Sequence, residues 1–414
     1  MMIRMRTTAA SLLAAALMTA GASAAQDRVV QLPRQDRVLQ GTAPQVYAVG
    51  AAEGADHEIF GEIAGVAFDA SDNLYVLDRP NARVMVYGPN GRFLRQIGRK
   101  GQGPGELTVP MQLAITGDGT VVVMDLARPA YSLFRPDGTF IRNVAVEGLM
   151  PGPNSPMAWH PRGGVVSTFR AAPSNNPRTG THTENIVPLT FYPFGGGNPV
   201  RLYQIPQQWT TQSSSSGPGQ MQIRLSPPPT FSPAVLFGVL PGGQMALSFT
   251  SGYTVRILDA NGQTVRYLQR AMPVRRTTDR DRERARAERR EMMQSGRGRI
   301  TITRGGGGGP PPRGAPGGAE MERMLGEMRF ADTIPALKGL RVAPSGKLWV
   351  ERTPASGVED GPVDLLTAEG QYLGTINGLG LPAAISRGGL AAFTEVDDLG
   401  VDRVVVRRLP QPWR

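Results

Sequence analysis

One stretch of this chain returns, without a gap, 47 residues further on. The run Gly65-Val-Ala-Phe-Asp-Ala-Ser-Asp-Asn-Leu-Tyr-Val-Leu-Asp78 continues to Tyr87-Gly-Pro-Asn-Gly91, Phe93 and Arg95. In the second copy Val66 becomes Leu113, Asp78 meets Asp125 and Tyr87 meets Phe134. Pro89, Gly91, Phe93 and Arg95 meet Pro136, Gly138, Phe140 and Arg142. A period of this length marks a repeated supersecondary unit that cannot bury its faces alone. Each unit divides into four short β-branched and aromatic runs bounded by Gly, Pro, Asn and Asp. In the first they are Gly65–Asp69, Leu74–Asp78, Arg83–Tyr87 and Phe93–Ile97. Gly88-Pro89-Asn90-Gly91 and Pro136-Asp137-Gly138 carry hairpin-turn chemistry: Pro presets φ, Asn or Asp tolerates a left-handed backbone, and Gly supplies positive φ. Four-stranded sheets of this size stack around an axis as the blades of a β-propeller.

Weaker copies keep the punctuation. Gly119 to Gly138 and Gly243 to Gly262 span the same distance, and Leu340–Val350 repeats the first hairpin. The unit beginning near Met157 fits least: two strands to Arg170, an insertion, then Ile186–Phe194. A last unit, Pro382–Leu409, has three strands, while Val46–Val49 reads as a fourth strand with none before it. Pairing the two closes the ring and removes an open sheet edge. The expected fold is therefore all-β, a six-bladed propeller over residues 40–272 and 331–409, closed by an N-terminal strand.

The repeat resembles NHL-type six-bladed propellers through Gly101-Gln-Gly-Pro-Gly-Glu-Leu107, Pro110, Leu113–Ile115 and Gly119–Asp125. It resembles more closely the exported bacterial six-bladed propellers, through Phe330–Leu337 ahead of Leu348-Trp-Val350. That resemblance is sharp over 60–145 and 330–352, and the third unit departs from it.

Residues 1–25 read as a targeting segment: Arg4 and Arg6, an apolar run from Ala9 to Ala20, then Ala22-Ser-Ala24 as a cleavage pattern. The run is too short for a permanent membrane span, and no other segment reaches that length. A periplasmic or secreted protein is expected, a monomer with no transmembrane segment. The chain has no cysteine, so thiolate metal sites, cysteine nucleophiles, disulfides and a lipoprotein anchor are excluded.

Net charge is +11, concentrated in an insertion at 275–330. Between 275 and 304 eleven arginines face five acids, and Thr278 to Met293 has a capping Thr and Arg/Glu pairs at helical spacing. Arg297 to Ala319, with five consecutive Gly and three consecutive Pro, reads as disordered. The insertion is either a solvated helix between two blades or a contact for an acidic polymer.

No catalytic set is evident. His57, His160 and His182 stand in three unrelated contexts, no G-x-S-x-G element occurs, and the Gly98–Gly105 run lacks the Lys-Ser/Thr of a phosphate loop. Asp78 and Asp125 each end the second strand of a blade. There they either accept hydrogen bonds from the following turn or help hold Ca²⁺, as in lactonase-type six-bladed hydrolases. The equivalent positions Phe249 and Arg352 supply no further ligand. Arg79, Arg128, Arg170 and Arg352 lie near the same strand ends, which fits an acidic ligand. The expected function is a binding scaffold, without a cofactor, for a protein or glycan at one propeller face. A calcium-dependent lactonase-type hydrolase and surface binding through the Arg-rich insertion are the alternatives.

Overall fold

The computed structural model describes residues 28–146, 149–150, 156–168, 170–171, 186–206, 211–217, 220–225, 228–295, 318–355, 358, 360–397 and 399–414. Residues 1–25, read above as a targeting segment, and 297–317 of the tract read as disordered lie outside them; the last two residues of that tract, Gly318 and Ala319, instead begin a helix.

Six four-stranded antiparallel arrays form, each running outward from an innermost first strand. Blade I is Ile63–Phe68, Leu74–Asp78, Arg83–Tyr87 and Phe93–Ile97. Its last three strands fall where the sequence places them; the first begins two residues earlier than expected. Blade II is Pro110–Ile115, Val121–Asp125, Ala130–Phe134 and Phe140–Ala145. Blade III, the poorest repeat, is still a full sheet: Met157–His160, Gly164–Ser167, Ile186–Pro193 and Val200–Pro206. Blade IV is Leu236–Val239, Met245–Ser248, Thr254–Leu258 and Thr264–Arg270. Blade V is Leu337–Val342, Leu348–Arg352, Val363–Leu366 and Tyr372–Ile376. Blade VI takes Ala384–Ile385, Leu390–Val396 and Asp402–Arg408 from the C-terminal end and Gln45–Val49 from the N-terminal end. In its register Val49 lies opposite Val404, Ala48 opposite Val405 and Tyr47 opposite Val406.

The core follows from this arrangement. No sheet buries both faces alone, so apolar side chains collect between neighbours. Each of six hydrophobic clusters spans one pair of adjacent blades, from Val84, Val86 and Val121 between I and II to Trp349, Val363 and Phe393 between V and VI. Second and third strands are buried on both faces in blades I and II. The tight turns need glycine where φ is positive: Gly91 and Gly138 sit at 81° and 95°.

One feature of the fold has no counterpart in the repeat pattern. Arg28–Leu32 adds a fifth strand, parallel, to the outer edge of blade IV, with Val30 opposite Leu268. The chain then bridges blade V, where Leu39 N–H donates to Thr375 O at 2.8 Å and Thr375 N–H to Arg37 O at 2.9 Å. Only after that does it enter blade VI. Residues 28–39 thus form a belt across blades IV and V.

At the opposite end of the strands, His160 is fully buried in the turn between the first two strands of blade III. Its Nε2 lies 2.9 Å from Gly243 O in blade IV, and its Nδ1 accepts the Arg162 N–H at 3.2 Å. One ring nitrogen donates and the other accepts, which is the neutral form. Burial, aided by the Arg162 charge, holds its pKa below 6.5 despite the Gly243 contact. The unfolded chain therefore binds a proton that the folded chain refuses. The resulting stability is complete above pH 6.5 and declines as pH falls below it. Urea midpoints measured across that range should fall for the native chain, and His160→Gln should remove this component of the slope. An unchanged slope in the variant would show that His160 is not its source.

The Arg-rich insertion between blades IV and V folds as α1 (Asp279–Ser295) and α2 (Gly318–Gly326). Thr278 Oγ1 receives the Asp281 N–H at 3.3 Å, while Asp281 Oδ2 accepts the Thr278 N–H at 3.0 Å, a reciprocal cap. Arg290 reaches Glu322 of α2 at 3.2 Å, and Arg275–Arg276 pairs with Thr333–Ile334 to close the base.

Candidate functional site

The two ends of the propeller are built differently. At one end, adjacent strands are joined by tight turns such as 69–73, 116–120, 240–244 and 343–347. The other end carries the blade-to-blade connectors and the links between second and third strands. The strand ends that flank the long connections 168–185, 207–235, 271–336 and 353–362 lie there. We call it the connector face. Asp78, Arg79, Asp125, Arg128 and Arg352 all stand there, at or just past the end of a second strand. The backbone of Arg170 pairs with Met150, and its side chain lies outside the described residues.

The carboxylates are engaged by their own blades. Asp78, fully buried, accepts the Gly61 N–H at 3.1 Å, Asn81 Nδ2 at 2.8 Å and Arg83 Nε at 3.1 Å. Arg83 extends this group to the Asp56 carboxylate and to the carbonyls of Asp56 and Ile59. Asp125 accepts the N–H groups of Thr108 at 2.6 Å, Val109 at 3.1 Å and Ala127 at 3.0 Å. Each aspartate thus ties the incoming connector to the strand end, as buried acceptors must find donors. Among the described residues no three of His, Asp and Glu come together in a way that could hold a metal ion.

The arginines divide. Arg79 pairs with Glu62. Arg128, half-buried, donates to the carbonyl of Gln102 in the connector between blades I and II. Arg352 joins a larger group that the sequence alone does not assemble. Its Nη2 lies 2.7 Å from Asp36 of the N-terminal belt, and its Nε 3.5 Å from Asp364. Arg270, at the end of blade IV, donates to Asp36 at 2.6 Å, to Asp364 at 2.8 Å and to the carbonyls of Pro33 and Arg34. Asp364 is fully buried and also accepts Thr375 Oγ1 at 2.6 Å. Partial burial pushes the Asp36 carboxyl up, but hydrogen bonds and charge from Arg352 and Arg270 outweigh it and hold the group below its ordinary value. These partners are far apart in sequence and share no motif, so no local signal could have joined them.

Charge on the insertion is internally balanced over its helix: α1 holds six arginines and five acids, and Arg282 pairs with Asp279 at 2.6 Å.

Comparisons with known proteins agree on architecture. The family described as "6-bladed beta-propeller" matches residues 53–152, which span blades I and II. A crystal structure of a member of the DUF4221 family from Bacteroides vulgatus superposes with a TM-score of 0.52 at 9% identity, covering 91% of this chain and 98% of the other. A Bacteroides fragilis protein described as exported gives 0.48 at 12% identity, covering 92% and 100%. Virginiamycin B lyase from Staphylococcus aureus gives 0.40 at 10% identity, covering 84% and 95%. No curated protein matches the sequence. Six radial sheets, six interblade cores, the family match over 53–152 and the likeness to the DUF4221 structure together identify the chain as a six-bladed β-propeller.

Proposed function

We propose that the protein is an exported binding scaffold that holds a protein or glycan ligand on its connector face. The observation that carries this reading is the asymmetry of the two ends: the strand ends that flank the long connections lie on one side of the propeller. Recognition elements on loops held by a stiff scaffold are the usual arrangement for binding. Export is supported by the leader-like first 25 residues, and among the described residues no helix is long and apolar enough to cross a membrane. Arg128 suits contact with an acidic group, since it donates to a single carbonyl while Arg79 and Arg352 face carboxylates.

A photo-crosslinking amino acid placed at Gln102, on the connector face, should capture a ligand from periplasmic extract. The same group at Asn90, in a turn at the other end, should not. Arg128→Ala should weaken the capture several-fold. Equal labelling from both faces, or none from Gln102, would defeat the reading.

A further inference from the structure

The innermost strands of blades I to III are less buried than the strands directly outside them. Every residue of Ile63–Phe68 is half-exposed, as are most of Pro110–Ile115 and Met157–His160, while the strands directly outside them are buried. Water therefore reaches the axis of the ring. The inner strands are largely apolar: Ile63, Val66, Met111, Leu113, Met157 and Trp159 are among their half-exposed residues, all but Met111 also packed against an interblade core. Among the described residues, the ionisable side chains on the six inner strands are Lys338, Arg341 and the buried, neutral His160. Both cations belong to blade V. Lys338 lies 3.2 Å from Glu351.

Arg341 has no such partner. Its Nε donates to Pro382 O at 3.2 Å, at the entry to blade VI, and no carboxylate of the described residues pairs with it. Arg341 is opposite the fully buried Trp349 in its own sheet and is flanked by blades IV and VI, yet its side chain is exposed. The water it meets is that of the channel. Enclosure by the surrounding blades pushes its guanidinium below the ordinary value, with no opposing charge to restore it.

We propose that the axial channel binds an organic carboxylate with an apolar body, the carboxylate on Arg341 and the body along the apolar inner strands. A guanidinium offers parallel N–H donors that match a carboxylate in two places, which a point-charge ammonium does not. A mostly apolar cavity with one fixed polar anchor is the usual construction of a small-molecule site. This site is separate from the connector face and does not rest on the reading of that face.

Isothermal titration of the full mature chain with sodium octanoate tests the assignment, with octylamine and inorganic phosphate as controls. Octanoate should bind and octylamine should not. Arg341→Gln should weaken octanoate binding about tenfold or more, and Arg341→Lys should fall between the two. In the unaltered chain, octanoate should slow phenylglyoxal modification of Arg341, read by peptide mass mapping, which keeps the test open if Arg341→Gln misfolds. No binding of octanoate, equal affinity in Arg341→Gln or absence of protection at Arg341 would each overturn the proposal. Phosphate binding as tightly as octanoate would overturn the apolar half of it.

Discussion

Replacing Arg270 by methionine should cost the folded protein about 3–5 kcal/mol, because the change strands a buried carboxylate. Asp364 is inaccessible to solvent, and without Arg270 it keeps Thr375 Oγ1 at 2.6 Å, the more distant Arg352 Nε at 3.5 Å and the neighbouring neutral Tyr253 hydroxyl, with no close cation. The same guanidinium fastens the carbonyls of Pro33 and Arg34 and the Asp36 carboxylate, so the belt over blades IV and V loosens as well. Restoring neutrality in Arg270→Met/Asp364→Asn should recover part of the loss, since most of it comes from the unpaired charge rather than the missing contact. Denaturant unfolding of the three chains measures this, and a single variant within 1 kcal/mol of the native protein would refute it. The group also shapes the acid limb. Asp36 sits below 3.8 when folded, so its contribution is present above that pH and lost as pH falls through the lower folded value. Asp36→Asn should shorten that limb.

The part of this fold that could be read from sequence is the part that repeats locally. Gly-Pro-Asn-Gly turns and β-branched runs fix three of the four strands of blade I to the residue, because turn dihedrals and strand burial are decided within a few positions. Blade III was blurred by its insertion, although Gly164–Ser167 and Ile186–Pro193 pair normally once the insertion is set aside. The belt at 28–39 escaped because a parallel edge strand carries no turn and no partner nearby; Val30 finds Leu268 only after the ring has formed. The sequence placed Asp78 and Asp125 at strand ends, where they indeed stand, but a side chain's hydrogen-bond partners are set by backbone brought in from the preceding connector. Gly61, Thr108 and Val109 give no hint of that role as letters. Arg341 was missed for a related reason: an arginine in an otherwise apolar strand is informative only when that strand is known to be the innermost.

Closure of the ring makes the sharpest demand on the chain's ends. A chain lacking residues 26–50 should fail to fold cooperatively, whereas one lacking only 26–39 should fold with reduced stability. The longer truncation removes the fourth strand of blade VI and leaves Asp402–Arg408 as an unpaired edge, which invites association with other chains. It also uncovers Val404, Val405 and Val406, all at 1% exposure or less, and withdraws Val49 and Tyr47 from the core shared by blades VI and I. Each large apolar side chain so exposed costs about 1.5–3 kcal/mol, and a few of these exceed the net stability of an ordinary domain. The shorter truncation spares all of these contacts and forfeits the belt. The absence of cysteine supplies the converse experiment on a clean background. Ala48→Cys with Val405→Cys places two thiols on directly opposed residues, and their oxidation would join positions near the two ends of the propeller. For so long a loop the chain-entropy gain is up to about 5 kcal/mol, read as the difference between oxidised and reduced unfolding midpoints. If both truncated chains unfold alike, or if the cross-link leaves the midpoint unmoved, then the N-terminal strand is not what holds the ring shut.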